Sequence, residues 1–424
     1  MADLTTNCAG IVSPNPFWLA SAPPANSGDQ VKRAFDAGWG GAVWKTLGQP
    51  IQNVSSRFAA TAYRGTAAIG FNNIELITDR SLEKNFAEIA DVKKNYPNHA
   101  VIASLMVETK EEWKEIIKRS IDAGADGLEL NFGCPHGMCE RGMGSAVGQE
   151  PEVNAEITSW AKEYSTVPVL VKLTPNVGDI LPHGHAAQRG GADGVSLINT
   201  IKSIIGVDID RFVPNPRVGG QSTNGGYCGA AVKPIALHMT GQLGRDPSFQ
   251  LPISGIGGVT NWRDAVEFIL LGATSVQVCT EVMLRGYRIV EDMLEGLSEY
   301  MDEKGFASID EMVGRALPAY SEWGNLDLNY ETKAVINAES CIGCYKCVVA
   351  CHDGAHQCID PATDGSRVPV VDESECVGCN LCQIVCPVPD CISMVEVDNG
   401  YEPATWNDHI NDGAVLRPKT GIHH

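Results

Sequence analysis

Between residues 17 and 279 eight short apolar runs recur, each followed by a loop with Gly, Asn or Pro and then an amphipathic stretch. They are FWLAS (17–21), GAVWKTL (41–47), VIASLM (101–106), GLELNFGC (127–134), PVLVKLTP (168–175), GVSLINT (194–200), PISGIGG (252–258) and SVQVC (275–279). Runs that are apolar on both faces and alternate with helical segments such as SLEKNFAEIADVKKNY (81–96) mark parallel strands covered by helices. Eight such units over about 260 residues predict an α/β architecture, a closed (β/α)8 TIM barrel rather than an open doubly wound sheet. Apolar positions three and four apart in MLRGYRIVEDMLEGLSEYMDEKG (283–305) predict a closing helix, so the barrel is assigned to 1–305 and a connecting segment to 306–335.

After Asn337 the texture changes to Cys-rich turns with little apolar periodicity, too small a core to fold without staples. CIGCYKC (341–347) runs on to Cys351, and CVGCNLC (376–382) runs on to Cys386-Pro387, so each reads C-x2-C-x2-C-x3-C. Most of the 15 cysteines sit in such short-spaced groups, which favours metal ligation in a reducing compartment over disulfides. The spacing lets three thiolates of one turn hold three irons of a cubane while the fourth crosses to the other cluster. One cluster is thus assigned to Cys341, Cys344, Cys347 and Cys386, the other to Cys376, Cys379, Cys382 and Cys351. A pair of zinc ribbons is the alternative, although their ligands come as two pairs. Residues 336–398 are expected to form a small ferredoxin-like α+β domain with two 4Fe-4S clusters, followed by a tail over 399–424. Cys358 and Cys391 fall outside the pattern and are expected to pack. Clusters relay single electrons, so the barrel is expected to hold a redox cofactor that handles two.

Barrel chemistry sits at the C-terminal ends of the strands. Those ends carry Ser21, Lys45, Thr46, Asn131, Cys134, Lys172, Asn199, Thr200, Ile256, Gly257, Gly258, Cys279 and Thr280. Glycines after the seventh strand suit a phosphate, and no G-x-G-x-x-G follows a strand, so a phosphate-bearing flavin, FMN, fits better than a nicotinamide. Lys172 in VKLTPN is the candidate cation beside the flavin N1 end. The glycine-rich loop NFGCPHGMCERGMGSAVGQ (131–149) reads as a mobile lid that presents Cys134, then Pro135 and His136. A thiol with pKa near 8.5 is protonated at pH 7 and can donate that proton. A formal charge of -20 argues against a nucleic-acid surface. No run of about 18 apolar residues is present to span a bilayer. The first residues lack a secretory pattern, so a cytoplasmic location is expected.

The stretches NFGCPHGMCERGMG, VKLTPNVGDI, GGADGVSLINTI and AVKPIAL, together with the paired cluster motifs, resemble the dihydropyrimidine dehydrogenases in order and over nearly the full length. The likeness is to the flavin and iron-sulfur subunit of the bacterial enzymes and to the C-terminal part of the longer animal ones. It implies a dihydroorotate-dehydrogenase-like barrel in which electrons enter through the clusters and the C5–C6 double bond of uracil or thymine is reduced. Hydride would pass from FMN N5 to C6, and Cys134 would protonate C5. The family's flavin contacts fall on Ser21, Lys45, Thr46, Lys172, Gly229, Ile256, Gly257, Gly258, Cys279 and Thr280. Its pyrimidine contacts fall on Asn131, Phe132, Gly133, Asn199 and Thr200, with His136 beside them. Family members place an asparagine after the third strand; LMVETKEEW has Thr109 where that amide is expected, and Gly133 replaces a serine. A lost amide would shift substrate preference.

The animal enzyme's FAD and nicotinamide domains have no counterpart in this sequence. The resemblance therefore implies an NAD(P)H-oxidising, FAD-bearing iron-sulfur flavoprotein subunit as partner, in a heterotetramer, with a homodimer through the barrel and ferredoxin domains. The competing readings are a reductase of another small cyclic amide, a dihydroorotate dehydrogenase, a tRNA dihydrouridine synthase, whose N-x-G-C-P pattern NFGCP fits, and a non-catalytic electron-transfer module.

Overall fold

The computed structural model describes residues 2–63, 66–134 and 142–417. The chain divides into two compact units, Met1–Tyr320 and Ser321–His424.

In the first unit eight parallel strands close on themselves: β1 (Phe17–Leu19), β2 (Gly41–Leu47), β3 (Ala100–Leu105), β4 (Gly127–Asn131), β5 (Val169–Lys172), β6 (Gly194–Leu197), β7 (Ile253–Ile256) and β8 (Ala273–Val278). Each pairs with the next, and β8 returns to β1 with Val276 opposite Phe17. Every residue of β2 and β3 is buried, which a sheet achieves only when helices cover its outer face. Those helices are capped by the residues that precede them: Ser27 before Gly28–Ala37, Ser81 before Leu82–Asn95, and Thr109 before Lys110–Asp122. Below, the hairpin of Thr6–Cys8 and Ile11–Ser13 plugs the barrel, packing Cys8 and Ile11 on Trp18, Val43 and Leu170. The expected closing helix is two, Thr280–Arg285 and Ile289–Lys304, because Gly286 lies at φ +87°, where a right-handed helix cannot continue. Residues 306–320 continue the barrel unit, with Ile309 and Met312 in its core.

Two strand-to-helix connections are much longer than a turn needs. They fold into one four-stranded antiparallel sheet of Ile201–Ser203, Gly225–Cys228, Thr66–Asn73 and Phe58–Tyr63. This sheet follows the C-terminal ends of β2 and β6 and walls the mouth of the barrel.

The second unit pairs Thr332–Ile336 with Ile392–Glu396 and carries the helices Lys346–Gly354 and Leu381–Val385. Six of the ten buried residues in its core are cysteines, so little hydrocarbon is available to stabilise it. Among the described residues no helix is long and apolar enough to cross a membrane.

Candidate active site and cluster sites

The mouth of the barrel opens into a cavity with about 1200 Å³ between its lining atoms, open solvent included. All ten residues expected at the flavin line it: Ser21, Lys45, Thr46, Lys172, Gly229, Ile256, Gly257, Gly258, Cys279 and Thr280. So do Asn131, Cys134, Asn199 and Thr200.

One edge is backbone. Gly229 (φ +91°), Gly257 (φ +129°) and Gly258 (φ +76°) adopt conformations that side chains rarely take, and a Cβ on Gly258 would stand 2.7 Å from the Lys233 nitrogen. Amides left bare this way beside the start of the helix at Thr280 suit a phosphate. The opposite edge carries charge. Lys45 Nζ lies 2.6 Å from Glu75 Oε1, which Arg57 approaches at 3.4 Å; Lys172 Nζ lies 3.5 Å from Glu129 Oε1. Gln277 Oε1, on a residue 1% exposed at the cavity wall, finds no hydrogen-bond partner among the described residues. A buried acceptor without a donor suits a ligand that brings an N–H. The donor set as a whole, glycine backbone at one end and cations with amides at the other, fits FMN.

The amides are wired together. Asn199 Nδ2 donates to Asn131 Oδ1 at 3.0 Å, and Asn131 Nδ2 donates to Thr46 Oγ1 at 3.0 Å. Thr46 Oγ1 is in turn bonded to Ser104 Oγ at 3.0 Å and Ser21 Oγ at 3.2 Å, while Asn199 Oδ1 accepts from the Thr200 amide at 2.8 Å. Cys134 is 8% exposed, packed with Ile77, Met106 and Met143. Two further thiols, Cys228 and Cys279, also face the cavity. Burial pushes the Cys228 thiol up to about 11 and the Cys279 thiol up to about 12, so both stay neutral.

The expectations for Thr109, Phe132, Gly133 and His136 need correction or limits. Thr109 is not in the cavity: its hydroxyl accepts from the Glu112 amide and Glu112 reaches back to the Thr109 amide, a capping box on the barrel exterior. An amide that does line the cavity is Asn73, at the end of the Thr66–Asn73 strand, with Glu75 just beyond. Phe132 points into the core, 1% exposed and edge-on to Trp113. Gly133 does not line the cavity either, but a Cβ there would meet Asn199 at 2.4 Å, so its smallness seats that amide. His136, and the centre of the expected glycine-rich lid, lie outside the described residues. The sequence reading also missed Phe71, Tyr227, Cys228 and Gln277. The signal for the hairpin was the length of chain between the second strand and its helix, far beyond the usual two to six residues of a βα loop.

In the second unit the two cysteine motifs take one shape. Gly343 (φ +65°) and Tyr345 (φ +59°) repeat in Gly378 (φ +71°) and Asn380 (φ +56°), and each pair leads into a helix. A Cβ on Gly378 would stand 2.4 Å from the Thr332 carbonyl, so this turn admits only glycine. One recess is lined by Cys341, Cys344, Cys347 and Cys386, another by Cys351, Cys376, Cys379 and Cys382, so the fourth cysteine of each run is brought to the other run's recess. Each recess also holds a fifth thiol, Cys391 in the first and Cys358 in the second, both buried as packing residues are. Among the described residues no three His, Cys, Asp or Glu side chains gather on a single-ion site. Thiols spread around a recess are the arrangement that suits a cubane, whose irons are ligated separately.

Residues 3–301 match the dihydroorotate dehydrogenase family and residues 334–394 match the 4Fe-4S dicluster domain. The chain is 45% identical over 397 residues, 93% of its length and 96% of the relative's, to the NAD-dependent dihydropyrimidine dehydrogenase subunit PreA of Escherichia coli (strain K12). It is 42% identical over 332 residues, 75% of this chain and 78% of the relative, to the chloroplastic dihydropyrimidine dehydrogenase (NADP(+)) of Arabidopsis thaliana. With the catalytic subunit of dihydroorotate dehydrogenase B (NAD(+)) of Pyrococcus horikoshii it shares 38% identity over 310 residues, 73% of this chain and 96% of that one.

Proposed function

The chain belongs to the dihydroorotate dehydrogenase family and carries a 4Fe-4S dicluster domain, and from that premise we propose that it is a dihydropyrimidine dehydrogenase subunit, which reduces uracil or thymine to the 5,6-dihydropyrimidine. The observation that carries this reading is the convergence of Asn73, Asn131, Asn199 and Thr200 with the Cys134 thiol in one cavity. A pyrimidine edge alternates C=O and N–H, and a carboxamide offers a donor and an acceptor to match it. The relay through Thr46 orients Asn131 and Asn199 before any substrate arrives, so little ordering cost remains for binding.

When bound, FMN supplies the hydride for ring C6 and the two clusters supply electrons one at a time. Gly229, Gly257, Gly258 and Thr280 would hold the phosphate end; Lys45 and Lys172 would set the charge at the ring. Cys134 holds a proton on Sγ at neutral pH and gives it to ring C5. Phe58, Phe71 and Tyr227 of the covering sheet exclude water from that transfer. Electrons come from a partner, an FAD-bearing flavoprotein that oxidises NAD(P)H, in a heterotetramer with homodimeric contacts; the relative named as an NAD-dependent subunit supports this. Reduced thiols in both units go with a cytoplasmic location.

Dihydroorotate oxidation is the second reading, favoured by the likeness to nearly the whole of the Pyrococcus horikoshii catalytic subunit. The holoprotein is assayed with reduced viologen against uracil, thymine and orotate. Turnover of uracil or thymine is expected; turnover of orotate alone would favour the second reading, and no turnover of any would overturn both.

A further inference from the structure

We propose that Glu129, a carboxylate sealed beneath the cavity, is a positioning residue that sets the reduction potential of the flavin through Lys172. This rests on the reading above that Lys172 lies against the flavin ring. A barrel interior is ordinarily filled by branched apolar side chains. Here Glu129 of β4, fully buried, stands among Lys172 of β5, Ser196 of β6, Ser254 of β7, and Ser275 and Gln277 of β8. Its Oε2 accepts from Ser196 Oγ at 2.7 Å and Gln277 Nε2 at 3.0 Å. Gln277 Nε2 also reaches Ser254 Oγ at 3.1 Å, which accepts from Ser275 Oγ at 2.8 Å. Glu129 Oε1 makes no hydrogen bond among the described residues; the cation it faces is Lys172 Nζ at 3.5 Å.

A carboxylate so enclosed is strongly disfavoured unless a cation faces it. Lys172 is that cation, and it also lines the cavity, so one ammonium stands between a fixed negative charge beneath and the ligand above. The cavity's other lysine differs: its counter-ion Glu75 comes from the covering sheet's side, beside Arg57, and is not sealed. A flavin ring gains negative charge near N1 on reduction. Lys172 alone would favour that charge, and Glu129 opposes it in a medium with little screening. The pair therefore keeps the flavin a stronger hydride donor than the lysine alone would allow.

The test is an anaerobic spectroelectrochemical titration of the holoprotein, full chain with FMN and clusters, in Glu129→Gln and Ser196→Ala. Glu129→Gln removes the charge at constant shape, and its flavin potential is expected to rise while the cluster potentials stay put. Ser196→Ala removes a hydrogen bond to the same carboxylate but keeps the charge, and is expected to titrate close to the parent. A parent-like flavin potential in Glu129→Gln, or an equal rise in both variants, would overturn the proposal. Should Glu129→Gln fail to retain FMN, Glu129→Asp withdraws the charge from Lys172 by one methylene; a smaller rise supports the proposal and no change overturns it. Lys172→Met separates the two layers. A shift there with none in Glu129→Gln sinks Glu129 alone, and no shift in either sinks the placement of the flavin at Lys172.

Discussion

Cys134 and Asn73 carry the sharpest consequences of single side chains. Replacing Cys134 by Ala removes the proposed proton donor but no ligand of flavin phosphate or cluster. Turnover should fall by about 10²-fold or more with FMN and iron content intact, which is the scale of a lost general acid; kcat and cofactor counts on the purified variant check it. Asn73 and Thr109 form a matched pair, because Asn73 lines the cavity while Thr109, where the sequence leads one to expect a substrate contact, caps a helix outside it. Asn73→Ala should lower kcat/KM for uracil by about fivefold, the scale of one neutral hydrogen bond of about 1 kcal/mol. Thr109→Ala should leave kcat/KM unchanged and cost about 1 kcal/mol of stability through the lost cap, read as a lower denaturation midpoint. The residue types were informative in both places. Thr109 followed at the third position by Glu112 is a capping-box signature, readable as helix-start chemistry, whereas nothing adjacent to Asn73 announces a binding site.

At the scale of elements, the Gly257–Gly258 turn of the barrel and the cysteine run 341–347 are expected to serve different cofactors. Gly258→Ala places a methyl against Lys233 at a left-handed φ, so the turn must shift and FMN should be lost on gel filtration while the iron count holds. Cys344→Ala should remove about four irons per chain and leave FMN in place; an unchanged iron count would refute that ligand set. The barrel strands were readable because each is a short run buried on both faces, a pattern written in neighbouring residues. The covering sheet was not. Its strands come from two connections more than a hundred residues apart, Phe58–Asn73 and Ile201–Cys228, and neither hairpin has a packed face without the other.

At the scale of the whole molecule, the chain joins a 4Fe-4S dicluster domain to a barrel with a cavity at its mouth, and no G-x-G-x-x-G follows a strand in its sequence. Holoprotein alone should reduce pyrimidine with reduced viologen and fail to do so with NADH until a flavoprotein subunit is added. NADH-driven turnover by the pure chain would contradict the two-subunit reading. The net charge of -20 makes ionic strength a simple second variable, since an association steered by charge slows as salt screens it.

Features written in local order were legible in the sequence itself: the eightfold strand pattern, the cluster spacings, and the polar residues at strand ends that line the cavity. Each depends on covalent geometry over a few residues, and residue spacing is direct information about that. The tertiary structure alone brought Asn73 and Glu75 to the cavity, turned Phe132 inward, and placed Glu129 beneath Lys172. Those contacts join strands distant along the chain, where position is set by which surfaces bury one another and which buried charges find partners, and no spacing in the sequence encodes that choice.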